Sequence, residues 1–207
     1  VAPSRPDLAD ASRELTRALI ATAPRGCDVA AIVPAPGLED GVLEGLADIT
    51  RMSLQRRELA ASWQLGIAPG VGKGLIHSPT LLAPFVRHDR VNETHQVVGT
   101  LWDLRAWETP EELSRPEVMW FKGQLKRAEK HADALVVPTH AMAARVEKLG
   151  RFSGRVRVIA GAPPIGFAVP SDVAGRLRTL GLPSSFVATT GGRAASDGLS
   201  SAFSALA

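Results

Sequence analysis

Short apolar runs alternate with longer stretches of helical period along the whole chain. "ASRELTRALIAT" sets Leu15 and Leu19 on one helical face and Arg13, Glu14 and Arg17 elsewhere. "CDVAAIVP" then reads as a buried strand ended by Pro34. From Gly41 to Leu65 the pattern is helix-like, with arginines at 51, 56 and 57. "GLIHSP", from Gly74, and "HQVVGTLWDL" are the next strands. Ser114 and Glu117 carry the spacing of a capping box, ahead of a helix that puts Val118, Phe121, Leu125, Ala128 and Ala132 on one face. Strand "ADALVVP" leads into helix "THAMAARVEKLG", with Met142, Val146 and Leu149 inward and Gly150 closing it. Strand "RVRVIAG", helix "SDVAGRLRTLG", strand "SSFVATT", loop "GGRAASD" and a last helix complete the order.

This alternation predicts an α/β fold: a Rossmann-like parallel sheet with helices on both faces. Strands that read as continuous apolar runs agree, because parallel strands are covered on both sides. In "GAPPIGFAVP" three of ten residues are proline, which puts a boundary there. The expected division is a first domain over 1–165 and the beginning of a second over 170–207. The second stretch is too short for a core of its own, so it is expected to be a truncated domain.

Composition narrows the setting. Of 207 residues, 45% are hydrophobic and 22% charged, ordinary for a globular domain. No apolar run approaches the roughly 20 residues that cross a bilayer, and the start has no secretory pattern. One cysteine, Cys27, allows no internal disulfide, so a cytoplasmic location is expected and Cys27 reads as a small buried hydrophobe. A formal charge of +3 is too small and too dispersed for a nucleic-acid binder. It suits phosphorylated ligands or peripheral contact with an anionic membrane, at the inner face of the plasma membrane.

Open parallel sheets bind ligands beyond the carboxyl ends of their strands. His77 and Ser78, Trp102 and Asp103, Thr139 and His140, and Gly191, Gly192 and Arg193 all fall at or just after predicted strand ends. They are expected to gather on one rim. Thr139 either binds an anion at a helix N-terminus or simply caps the helix. Gly191 and Gly192 permit close backbone approach and Arg193 can fork onto phosphate, unless the loop is only a flexible turn. Asp103 is a structural carboxylate, an orienter of a sugar hydroxyl, or a surface residue. Trp102 and Trp107 offer faces for stacking, or are core aromatics. Lys122, Lys126 and Lys130 form a basic stripe, either solvated or resting on anionic lipid. "APGVGKGL" looks like a phosphate loop, but Ile67 stands where glycine is needed and Gly74 where Ser or Thr is needed. The five histidines are scattered along the chain without metal-ligand spacing.

The order of motifs resembles the N-terminal half of the GT-B glycosyltransferases, the large retaining group that uses nucleotide-sugar donors. The resemblance is carried by "LIHSPTLLAPF", "GTLWDL", "RAEKHADALVVPTHAMAARV", "VRVIAGAPPIGF" and "GRLRTLGLPSSFVATTGGR", in that order, from about residue 70 onward. It implies transfer of a hexosyl group from a UDP- or GDP-sugar to an acceptor hydroxyl with retention, and no cofactor beyond that co-substrate. It also implies substrate-binding roles for His77, Ser78, Trp102, Thr139 and His140 and donor-phosphate binding by Gly191, Gly192 and Arg193, with Asp103 as the candidate catalytic residue. Such enzymes are thought to keep the donor's own phosphate beside the acceptor, so a protein nucleophile is not required. Trp102 stands where the family often has histidine, Ser196 and Asp197 follow Arg193 where a lysine is usual, and no early glycine-rich turn is present. The family's C-terminal acidic pair would lie past Ala207, so the chain alone is expected to transfer little or nothing. A non-catalytic α/β sugar- or nucleotide-binding module is the alternative.

Overall fold

A computed structural model describes residues 6–36, 44–68, 70–161, 168–188, 194 and 197–206, with side chains from residue 10. Two compact units divide the chain at Ala162/Pro163.

In the first unit, helix α1 (Pro6–Thr22) precedes β1 (Ala30–Ala35) and β2 (Asp48–Gln55), and then α2 (Arg56–Gln64). Strands β3 (Gly74–Ser78) and β4 (His95–Thr100) follow, then the short helix α3 (Arg105–Glu108) and α4 (Arg115–His131). Strand β5 (Ala134–Val137), helix α5 (His140–Leu149) and strand β6 (Val156–Val158) complete it. All strand pairings are parallel, which makes this an α/β unit. Among the described residues the strands form two sheets, β1-β2 and β3-β4-β5-β6, rather than one. In β1, Pro34 has no N–H to give a neighbour, and the ladder to β2 shifts register between Val33 and Ala35.

Within the segment Gly41–Leu65, expected as one helix, Asp48–Gln55 form a strand and Arg56–Gln64 a helix, while residues 41–43 lie outside the described residues. From Arg51 to Gln55 exposure alternates, with Met52 and Leu54 turned inward, which is the period of a strand. Helix α2 begins at Arg56, where Gln55 and Glu58 form a capping box.

Registers Ile76↔Val97, Gly99↔Leu135 and Leu135↔Val156 place Val97, Gly99, Leu135 and Val137 on one sheet face. Helix α4 packs into the same core as these residues through Trp120, Leu125, Ala128 and the following Ala132, and α5 does so through Met142 and Val146. Gly99 is required there, because a Cβ on it would meet the Phe85 ring at 2.7 Å. The expected caps form: Ser114 and Glu117 bond reciprocally, and Thr139 accepts the Met142 N–H. The inward face of α4 is rotated from the expected one. Gln124 is buried and Val118 and Phe121 only half so, because Trp120 supplies the large apolar surface at the centre. Leu149 is exposed in the last turn of α5, and Cys27 is exposed in the loop before β1 rather than buried.

The second unit contains α6 (Val173–Leu180), capped by the Asp172 side chain and ended by Gly181 at φ 64°, and α7 (Leu199–Leu206). Residues 184–188 form no strand, against expectation; Phe186 and Val187 are exposed and have no strand to pair with among the described residues.

Candidate functional site

Because β3 to β6 are parallel and in register, their carboxyl ends share one edge, and three of the four expected corners lie on it. His77 is half-buried in β3, with Nε2 3.2 Å from the Thr100 hydroxyl at the end of β4. Burial lowers the His77 pKa, so the ring is held neutral. A neutral imidazole can offer one donor and one acceptor at this edge.

Ser78 is turned inward. Its hydroxyl donates to the Leu82 carbonyl at 2.7 Å and accepts from the Thr80 N–H at 3.4 Å, which ties the loop after β3 into a compact turn. This hydroxyl is buried, so Ser78 shapes the rim rather than facing a ligand. Trp102 spans several strand ends. Its indole N–H donates to the Pro79 carbonyl at 2.7 Å, and a Cβ on Gly161 would lie 3.9 Å from the ring. The ring stays partly accessible, as a stacking surface requires, whereas Trp107 packs against the main core.

Asp103 has both carboxylate oxygens engaged by one residue. Oδ1 accepts the Arg105 backbone N–H at 3.1 Å and Oδ2 accepts from the Arg105 guanidinium at 3.2 Å. That arrangement is poor for proton abstraction and good for fixing a cation at the rim. Arg105 itself was not singled out in the sequence; its position two residues after a strand-end acid was the available signal. Thr139 and His140 are exposed at the end of β5, where α5 directs its first N–H groups outward. Arg145 of α5 pairs with Glu108 of α3 at 2.8 Å, which bridges two of the rim's helices. Gly191, Gly192 and Arg193 lie outside the described residues.

At the opposite edge two histidines separated in sequence come into contact. His88 Nε2 lies 3.0 Å from Asp133 Oδ2, and the His88 and His95 rings meet edge to face at 5.3 Å. His88 and His95 thus meet beside the start of β4, with Asp133 reaching them from just before β5. Among the described residues no group of three or more His, Cys, Asp or Glu could hold a metal ion, and no helix is long and apolar enough to cross a membrane.

No family model, curated protein or solved structure matches this chain.

Proposed function

We propose that this chain is the acceptor-side part of a GT-B retaining glycosyltransferase, which moves a hexosyl group from a UDP- or GDP-sugar to an acceptor hydroxyl. One observation carries the reading: His77, Trp102 and Thr139 stand on the same carboxyl edge of a parallel sheet, where open α/β sheets take ligands. In this reading Trp102 stacks on the acceptor sugar or aglycone, neutral His77 orients a hydroxyl, and the Thr139–His140 corner takes an anionic group. Gly191, Gly192 and Arg193 would grip the donor diphosphate. Arg105, fixed by Asp103, adds positive charge to this edge. The donor's own phosphate would assist the acceptor, since Asp103 is tied to Arg105. Peripheral work at the cytoplasmic side of a membrane suits this chemistry.

The test is a turnover assay of the full-length protein with UDP- and GDP-sugars and a panel of hydroxyl acceptors, beside calorimetric titration with UDP and GDP. Transfer with retention that drops at least about tenfold in Trp102→Ala supports the proposal. Tight binding without turnover favours a second reading, a non-catalytic sugar- or nucleotide-binding module. The engagement of Asp103 by Arg105, which leaves no free carboxylate at that corner, is the observation behind it. No binding and no turnover removes both.

A further inference from the structure

The amino edge of the four-stranded sheet, opposite the rim just described, carries a surface of a different kind. Three large apolar side chains in its loops are exposed to solvent. Leu65 and Ile67 precede β3 and are 75% and 56% exposed; Val91 precedes β4 and is 87% exposed. Cations lie between and around them: exposed Arg87, Arg90, Lys126, Lys130 and Arg151, and half-buried Arg127.

Contacts link the two apolar loops into one surface. A Cβ on Gly66 would meet Arg127 Nη2 at 2.5 Å, so the Leu65–Ile67 turn lies against α4. Arg127 holds the Phe85 carbonyl, and Arg90 donates to the Lys130 carbonyl and so brings Val91 to the same end of α4. The acids here are largely committed. Asp89 caps its own loop at Val91 and Asn92, Glu129 pairs with Lys126 at 3.0 Å and takes the Arg151 N–H at 2.9 Å, and Asp133 holds His88 and the Val97 N–H and lies 4.0 Å from Arg90, so the charge offered to a partner rests on Arg87 and Lys130. Glu93 is exposed beside Val91 and opposes the local charge.

Cations interleaved with protruding apolar side chains match an anionic bilayer, where the charges meet lipid headgroups and the apolar side chains enter the acyl boundary. Duplex nucleic acid would use the charges but leave Leu65, Ile67 and Val91 without a partner. We infer that this edge docks the protein on an anionic phospholipid surface through Arg87 and Lys130, with Leu65, Ile67 and Val91 as shallow anchors. The inference is independent of sugar transfer.

The experiment is co-sedimentation of the protein with vesicles of phosphatidylcholine alone and of phosphatidylcholine with phosphatidylglycerol in equal parts. Binding should occur with the second only and fall as salt rises. Replacing Arg87→Glu and Lys130→Glu together should weaken it by at least about tenfold, because each cation at such a surface contributes severalfold. Leu65→Ser with Val91→Ser should weaken it while preserving the salt dependence. Both pairs are exposed, and unchanged melting curves verify folding. Absence of binding to the anionic vesicles, indifference to either pair, or tighter binding to duplex DNA than to vesicles overturns the inference.

Discussion

His88 and Asp133 meet across 45 residues of sequence, with Nε2 and Oδ2 3.0 Å apart, while His88 Nδ1 lies 3.0 Å from the Val86 carbonyl. Both ring nitrogens thus face acceptors. The same Asp133 oxygen takes the Val97 N–H at 2.7 Å, so one carboxylate joins a loop, the start of β4 and the start of β5. Asp133→Ala should strand the buried ring and the Val97 N–H and cost about 3 kcal/mol. Urea unfolding checks it; a loss below about 1 kcal/mol would show that the pair is not holding these elements.

His131 gives the fold a sensitivity to acid. Burial, then the charges of Arg127, Arg90, His88 and Lys130, lower its pKa. Below its ordinary value of about 6.5 the unfolded chain therefore binds more protons at this group than the folded one does. Stability is unaffected well above that pH, and it falls as pH drops through it toward the lower folded value. His77, also lowered by burial, acts in the same direction. In His131→Gln the loss of urea midpoint between about pH 7.5 and 5.5 should be smaller than in the parent but not zero. Equal losses would contradict the assignment.

Gly99 and Phe85 test the packing beneath the rim. A methyl at 99 would have to displace the ring from 2.7 Å. Gly99→Ala should destabilise by about 1–3 kcal/mol, as overpacking does, and Phe85→Leu in the same chain should recover part of it. Strict additivity in the double-mutant cycle would mean that the ring and the glycine are not in contact.

Gln124 is fully buried in α4, and neither its amide nitrogen nor its oxygen has a partner among the described residues. An amide in that condition costs about 1–3 kcal/mol. Gln124→Met keeps the length without the polar group and should raise the urea midpoint. A lower midpoint would mean that the amide is satisfied in solution.

Elements whose local signal and tertiary setting agree were legible in the sequence. Strand β5 is an unbroken Ala-Leu-Val-Val run between a helix end and a threonine cap, and it was read from those residues alone. Strand β2 was not, because its arginine at 51 joins those at 56 and 57 in a helix-like charge pattern, and only the burial of Met52 and Leu54 reveals a period of two. The edge holding His77, Trp102 and Thr139 followed from parallel order. Two features of the site did not. The inward turn of the Ser78 hydroxyl depends on a loop closing onto Leu82, and the meeting of His88 with His95 and Asp133 depends on two strands starting side by side. Neither leaves a periodic trace.

The Asp103–Arg105 pair separates two roles for the candidate catalytic carboxylate. If Asp103 abstracts a proton in the transfer proposed above, Asp103→Asn should lower kcat by at least about a hundredfold with little change in KM. The geometry gives the other expectation, because both carboxylate oxygens are held by Arg105. Asparagine can still accept the Arg105 N–H, so kcat should stay within about tenfold while KM for the nucleotide-sugar rises, and Arg105→Ala should reproduce that rise. Combined, Asp103→Ala and Arg105→Ala should cost little more than either alone, since each removes the same fixed cation. Effects that multiply in the double variant would instead assign the two residues separate tasks, and a pure kcat defect in Asp103→Asn would return the carboxylate to the chemical step.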